Sequence, residues 1–134
     1  MIDLENELFN EIARAVKEEF PEIYVTDEYV AIPPSFPCLS LVEEDNTTLI
    51  RTQTNSLEEN HAELLYEMNV YSNKKKGKKT ECKKIAAFVD ALLVRRNFTR
   101  IMLNPIPNYA DASIYRMVGR YRVVVGKNKT FYRR

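Results

Sequence analysis

Three groups of side chains in this chain have types and spacings that could do chemistry. The first is His61, the only histidine, with Glu59, Glu63 and Glu67 close by in sequence. An imidazole and carboxylates can ligate a metal, and on a strand His61 and Glu63 would share a face. No third ligand is forced, and an exposed histidine at a strand start is the ordinary occupant. The expectation is therefore no metal and no cofactor. The second group is the run Lys74, Lys75, Lys76, Lys78 and Lys79 around Gly77. Clustered ammonium groups can neutralise phosphates, with steep salt dependence. No aromatic side chain interleaves with them to stack a base, so a solvated turn is the simpler reading. The third group, Arg116, Arg120 and Arg122, alternates onto one face of a strand. Guanidinium groups so placed repel one another unless carboxylates meet them, and pairing with carboxylates, in the same chain or in a neighbouring copy, is the expectation.

Catalytic patterns are absent. A general base working near neutrality needs a histidine or a buried carboxylate with a positioned partner, and no nucleophile motif accompanies one here. Asp111 falls in a polar turn, where its ordinary use is a side-chain bond to the backbone. Gly77, Gly119 and Gly126 are the only glycines and form no phosphate-cradling loop. Cys38 and Cys82 have no metal-type spacing and read as buried thiols rather than a disulfide. The chain is not expected to be an enzyme.

Two helices and a sheet must position these groups. Leu4, Leu8, Ile12, Ala15 and Val16 recur at helical spacing, with Phe9 and Phe20 flanking. They predict a first helix over residues 3–20, with Asp3 as its N-cap and Pro21 beyond its end. The proline-rich stretch at 32–37 cannot lie in a central strand and leads into a strand over 38–43. Glu43 and Glu44, at the end of that strand, are candidate acidic contacts. Residues 45–60 lose periodicity and read as a long loop or an extended hairpin. Strict alternation over 62–71 predicts a strand. Cys82, Ile85, Ala86, Val89, Leu92 and Leu93 predict a second helix over 80–97, with Thr80 as N-cap. A short strand near 99–103 ends at Pro105, and a long one runs over 114–125. Its inward side is Tyr115, Met117, Gly119, Tyr121, Val123 and Val125; its other side carries the arginines. Strands with two interspersed helices make an α+β fold, a mixed or antiparallel sheet packed against two main helices.

Length predicts a single domain over residues 1–134. No apolar run reaches the ~20 residues of a membrane helix, and the acidic start is unlike a secretion signal, so assembly in a cytoplasm is expected. Charge is sorted along the chain. Residues 1–67 carry 16 acidic and 3 basic side chains, whereas 68–134 carry 3 acidic and 17 basic, for a total of +1. Such asymmetry favours electrostatic pairing with nucleic acid or between copies.

The run Glu59-Asn60-His61-Ala62, then Tyr66-Glu67-Met68-Asn69-Val70-Tyr71-Ser72-Asn73, then Gly77-Lys78-Lys79-Thr80-Glu81-Cys82-Lys83, resembles the tail terminator (tail completion) proteins of tailed phages and prophages of Gram-positive hosts. So do Phe98-Thr99-Arg100, Pro105-Ile106-Pro107-Asn108, Asp111-Ala112-Ser113-Ile114-Tyr115-Arg116 and Arg120-Tyr121. The likeness covers the C-terminal half, and its motifs are structural. It implies a virion protein of the tail and neck, assembling as a hexameric ring at the head-proximal end of the tail tube. The ring ends tube growth and offers the docking surface for the head connector. The implied partners are other copies of itself, the tail tube protein, a head-tail connector or neck protein, and a possible sheath contact. DNA passes through such a ring without sequence-specific binding. Arg116, Arg120, Arg122, Lys74, Lys75, Lys76, Glu43 and Glu44 are the expected interface residues. The alternatives are another neck component, head-closure or tail-adaptor, and a nucleic-acid-binding module using the basic half.

Overall fold

A computed structural model describes residues 1–55 and 59–133. Helix α1 (Glu5–Glu19) leads into a short strand β1 (Tyr24–Thr26), followed by β2 (Cys38–Thr48), a single 3-10 turn at Ile50–Thr52, and β3 (His61–Ser72). Helix α2 (Lys78–Arg95) then precedes β4 (Thr99–Pro105), β5 (Tyr115–Gly126) and β6 (Phe131–Tyr132). The sheet order is β1-β2-β3-β5-β4, with β6 pairing the far end of β5. β1 runs parallel to β2 and the other pairings are antiparallel, so the sheet is mixed and the fold is α+β.

Both helices lie on one face of this sheet. Leu8, Ile12, Ala13 and Val16 of α1, and Cys82, Ile85, Ala86, Val89 and Leu93 of α2, are buried. They pack into one core with Leu39 and Leu41 of β2, the even-numbered residues 62–70 of β3, and Tyr121, Val123 and Val125 of β5. The alternation in β3 follows from this one-sided cover, because every second side chain turns under the helices. Phe20, at the end of α1, meets Phe88 of α2 edge-on at 5.6 Å between ring centres, tying the helices together, and Tyr66 of β3 meets Phe98, in the turn after α2, at 5.7 Å.

Several boundaries differ from the sequence reading. Asp3 does not cap α1: Leu4 holds the cap position without a side-chain bond, and Asp3 only accepts a bond from the Glu5 amide at 3.2 Å. Thr80 does not cap α2 either. The helix begins two residues earlier because Gly77 adopts φ +81°, a left-handed geometry that only glycine enters freely. Ala15 and Leu92 are half-buried, and Ala13 takes a core place instead. The stretch after Glu43 is largely a hairpin arm, with β2 continuing to Thr48 opposite Ala62; residues 56–58 of the expected loop lie outside the described residues. Proline-rich residues 32–37 do stay out of the sheet. The outward side of β5 is not wholly arginine, since Val118 and Val124 are buried there. Cys38 and Cys82 are buried free thiols, and burial pushes each up to about 12.

Candidate functional site

The face of the sheet away from the helices is only partly covered. At one end, residues 27–37 and 106–114 roof it. Ser40 Oγ donates to the Glu28 carbonyl at 2.9 Å, the Tyr71 hydroxyl to the Val30 carbonyl at 2.7 Å, and Asn108 Nδ2 to the Ala31 carbonyl at 3.1 Å. Cys38, Tyr71 and Ile114, with Val30 and Phe36, form a small second core beneath this roof. The remainder of the face is open, a shallow basin of about 470 Å³ lined by Asp45, Glu63, Leu65, Ile101, Arg120 and Arg122, with Thr47 at its edge.

Register explains how these groups meet. Glu67 stands opposite Val42 and Arg120, and Leu65 stands opposite Asp45 and Arg122. Between Glu43 and Asp45 the pairing slips by one residue, which makes Glu44 the extra residue of a β-bulge. The bulge sets two acidic neighbours, Glu44 and Asp45, across β3 from the arginines of β5. A second bulge in β4, between Arg100 and Met102, leaves Ile101 45% exposed at the rim.

Charge on this face is balanced within the chain. Arg122 Nε lies 3.4 Å from Glu63, and Arg120 lies 3.9 Å from Glu44. Glu44 also shares a hydrogen bond with Glu67; that bond first, then burial, then the Glu67 charge, push the Glu44 carboxyl up to about 7 against the pull of Arg120. Arg116 differs from the expectation. Among the described residues it meets no carboxylate; it donates to Asn69 Oδ1 at 2.8 Å and lies 5.9 Å from the ring centres of Tyr29 and Tyr71. Register places it opposite Tyr71, under the roofed end, where no acid stands across from it.

Glu43 points the other way, beneath the start of α1. Its Oε1 and the Tyr66 hydroxyl are directly opposite in register and both buried, yet neither makes a hydrogen bond of normal geometry. Burial, followed by the nearby Glu5 charge, pushes the Glu43 carboxyl up to about 7. Glu43 and Glu44 are thus adjacent in sequence but serve opposite faces of the sheet.

The lysine turn is exposed. Lys74 reaches Glu81 at 3.3 Å, and Lys78 Nζ donates to the Ser113 carbonyl at 3.1 Å, while Lys75 and Lys76 extend into solvent. His61 packs edge-on to Tyr132 at 5.6 Å, with Nδ1 buried and unpartnered. The carboxylates near it in sequence are committed elsewhere, Glu59 to the Ile2 amide and Thr48 hydroxyl, Glu63 to Arg122, and Glu67 to Glu44. Among the described residues no three His, Cys, Asp or Glu side chains are grouped to hold a metal ion. Sequence reasoning missed Asp45, Leu65 and Ile101, and it set Glu63 and Glu67 beside His61 rather than with the arginines. Their signal was faint: the unbroken acidic triplet Glu43-Glu44-Asp45 interrupts alternation, as a bulge does.

Compared with known protein families, the chain matches no family model, and a comparison with curated proteins finds no match either.

Proposed function

We propose that this chain is a ring-forming structural subunit of the tail terminator type. On this reading it closes the head-proximal end of a phage tail tube, and its open sheet face is the docking surface for tube or neck. The observation that carries the reading is the one-sided sheet. Helices cover one face, and the open part of the other offers a lattice of mixed charge, Glu44, Glu63 and Glu67 with Arg120 and Arg122, around Leu65 and Ile101. A face of mixed sign with an apolar centre suits a protein partner, because complementary charge on that partner sets register while apolar area supplies attraction. The phosphate backbone of DNA asks instead for one positive sign. On this reading the chain is a structural subunit and carries out no catalytic turnover. The motif resemblance along β3, the lysine turn and β5 supports the same assignment.

Mass measurement of the purified protein, alone and with isolated tail tubes, tests this. The expected result is a closed ring of fixed stoichiometry at the tube end and an arrest of tube growth. A ring that binds a connector but leaves tube growth untouched would assign it to another neck position. A monomer that binds DNA and releases it steeply with salt would establish the nucleic-acid alternative.

A further inference from the structure

The sheet ends in two strands with one neighbour each, β1 beside β2 and β4 beside β5. Each presents an outward row of backbone donors and acceptors, the feature through which one sheet recruits another. The two edges differ in shape and sign. Beside β4, helix α2 leaves a groove of about 410 Å³ with Ala87, Leu103 and Met117 on its floor and Lys83, Asp90 and Arg100 around it. Asp90 is already engaged by Arg100 at 3.2 Å and by the Tyr121 hydroxyl at 2.6 Å, so the rim is left cationic. Lys83, and Lys79 one turn before it on α2, are exposed and have no acidic partner among the described residues. At the opposite edge, Glu22 precedes β1 and Asp27 follows it; both are exposed and equally unpaired. Between them Tyr24 is 36% exposed at the start of the strand.

We propose that these edges are the two halves of one contact between copies of this chain. The β1 edge of one copy lies along β4 of the next, with Tyr24 over the apolar floor and with Glu22 and Asp27 against Lys83, Lys79 and Arg100. The inference rests on the ring reading and names the subunit contact which that reading requires. Charge complementarity selects the occupant: two unpaired acids, Glu22 and Asp27, flank one sheet edge, and two unpaired lysines, Lys79 and Lys83, flank the other. Because the two surfaces differ, the contact is heterologous, and its repetition closes a ring or extends a filament rather than stopping at a symmetric dimer.

Two reversals test the contact, with light scattering at low salt as the readout and circular dichroism to establish folding. Lys79→Glu with Lys83→Glu makes both edges acidic; Glu22→Lys with Asp27→Lys makes both basic. Each alone is expected to raise the concentration needed for self-association on the order of tenfold, since like charges replace pairs of modest individual strength. An equimolar mixture of the two is expected to assemble as alternating copies, and one chain with all four changes to assemble by itself. Reversed chains that assemble as wild type does, or a mixture that stays monomeric beside an assembling wild type, overturn this contact and leave the ring reading standing. A wild-type chain that stays monomeric at low salt, with and without tail tubes, overturns both.

Discussion

At the scale of single residues, two neighbouring glutamates carry the most distinctive chemistry. Glu43 and Glu44 each have a carboxyl raised from 4.5 to about 7, the first chiefly by burial and the second chiefly by its bond to Glu67. A carboxyl whose folded pKa is raised binds its proton more tightly in the folded state. Its contribution to stability is full below the unfolded value of 4.5 and is lost as pH rises through about 7. Glu43→Gln keeps the shape and removes the charge. The variant is therefore expected to melt higher than wild type at pH above about 7, with the difference vanishing towards pH 4.5. Melting temperature followed across that range checks it, and a variant that tracks wild type at every pH refutes it. Neither shift was legible in the sequence, where both residues look like ordinary strand-end acids. Burial beneath α1 and a bulge that turns Glu44 towards Glu67 depend on cross-strand register, which local spacing does not encode.

At the scale of elements, periodicity was a good guide and punctuation a poor one. The alternation of β3 and the apolar stripe of α2 are direct consequences of a sheet covered on one side, so both could be read in advance. The start of α2 could not, because Thr80 and Gly77 both offer plausible openings and only the backbone decides between them. Gly77 sits at φ +81° with open space around its Cα, so a side chain there meets strain rather than a clash. Gly77→Ala should then cost about 1 kcal/mol. Thr80→Ala, at an exposed helical position, should change stability by less than about 0.5 kcal/mol. Urea denaturation of the pair checks this contrast; a larger loss from Thr80→Ala would restore the threonine as the cap. A further test lies on β5, where a Cβ at Gly119 would come within 3.0 Å of Met68 and of Tyr121. Gly119→Ala is expected to destabilise the chain by about 1–3 kcal/mol through overpacking.

At the scale of the whole molecule, the fold brings the two oppositely charged halves of the chain together. Glu7 meets Lys129, Glu11 meets Arg96, Glu44 meets Arg120 and Glu63 meets Arg122, each joining an N-terminal acid to a C-terminal base. Part of the sequence asymmetry thus goes into internal pairing. Arg120 and Arg122 already have partners, whereas Glu22, Asp27, Lys79 and Lys83 at the sheet edges remain available to a neighbouring copy. The two surfaces can be separated by experiment. Arg120→Glu with Arg122→Glu places new acids beside Glu44, Glu63 and Glu67, and should lower stability by about 1–2 kcal/mol. On the proposed arrangement this variant still forms rings at low salt, because β1 and β4 are untouched, but it no longer docks on tail tubes. The reversed pair Lys79→Glu with Lys83→Glu has the opposite signature, with near-normal melting and lost rings. Sedimentation of each variant with and without tubes, beside its melting curve, distinguishes the two. If the arginine reversal abolishes rings while leaving stability unchanged, the open face is itself the subunit contact and the division of labour between face and edges is wrong.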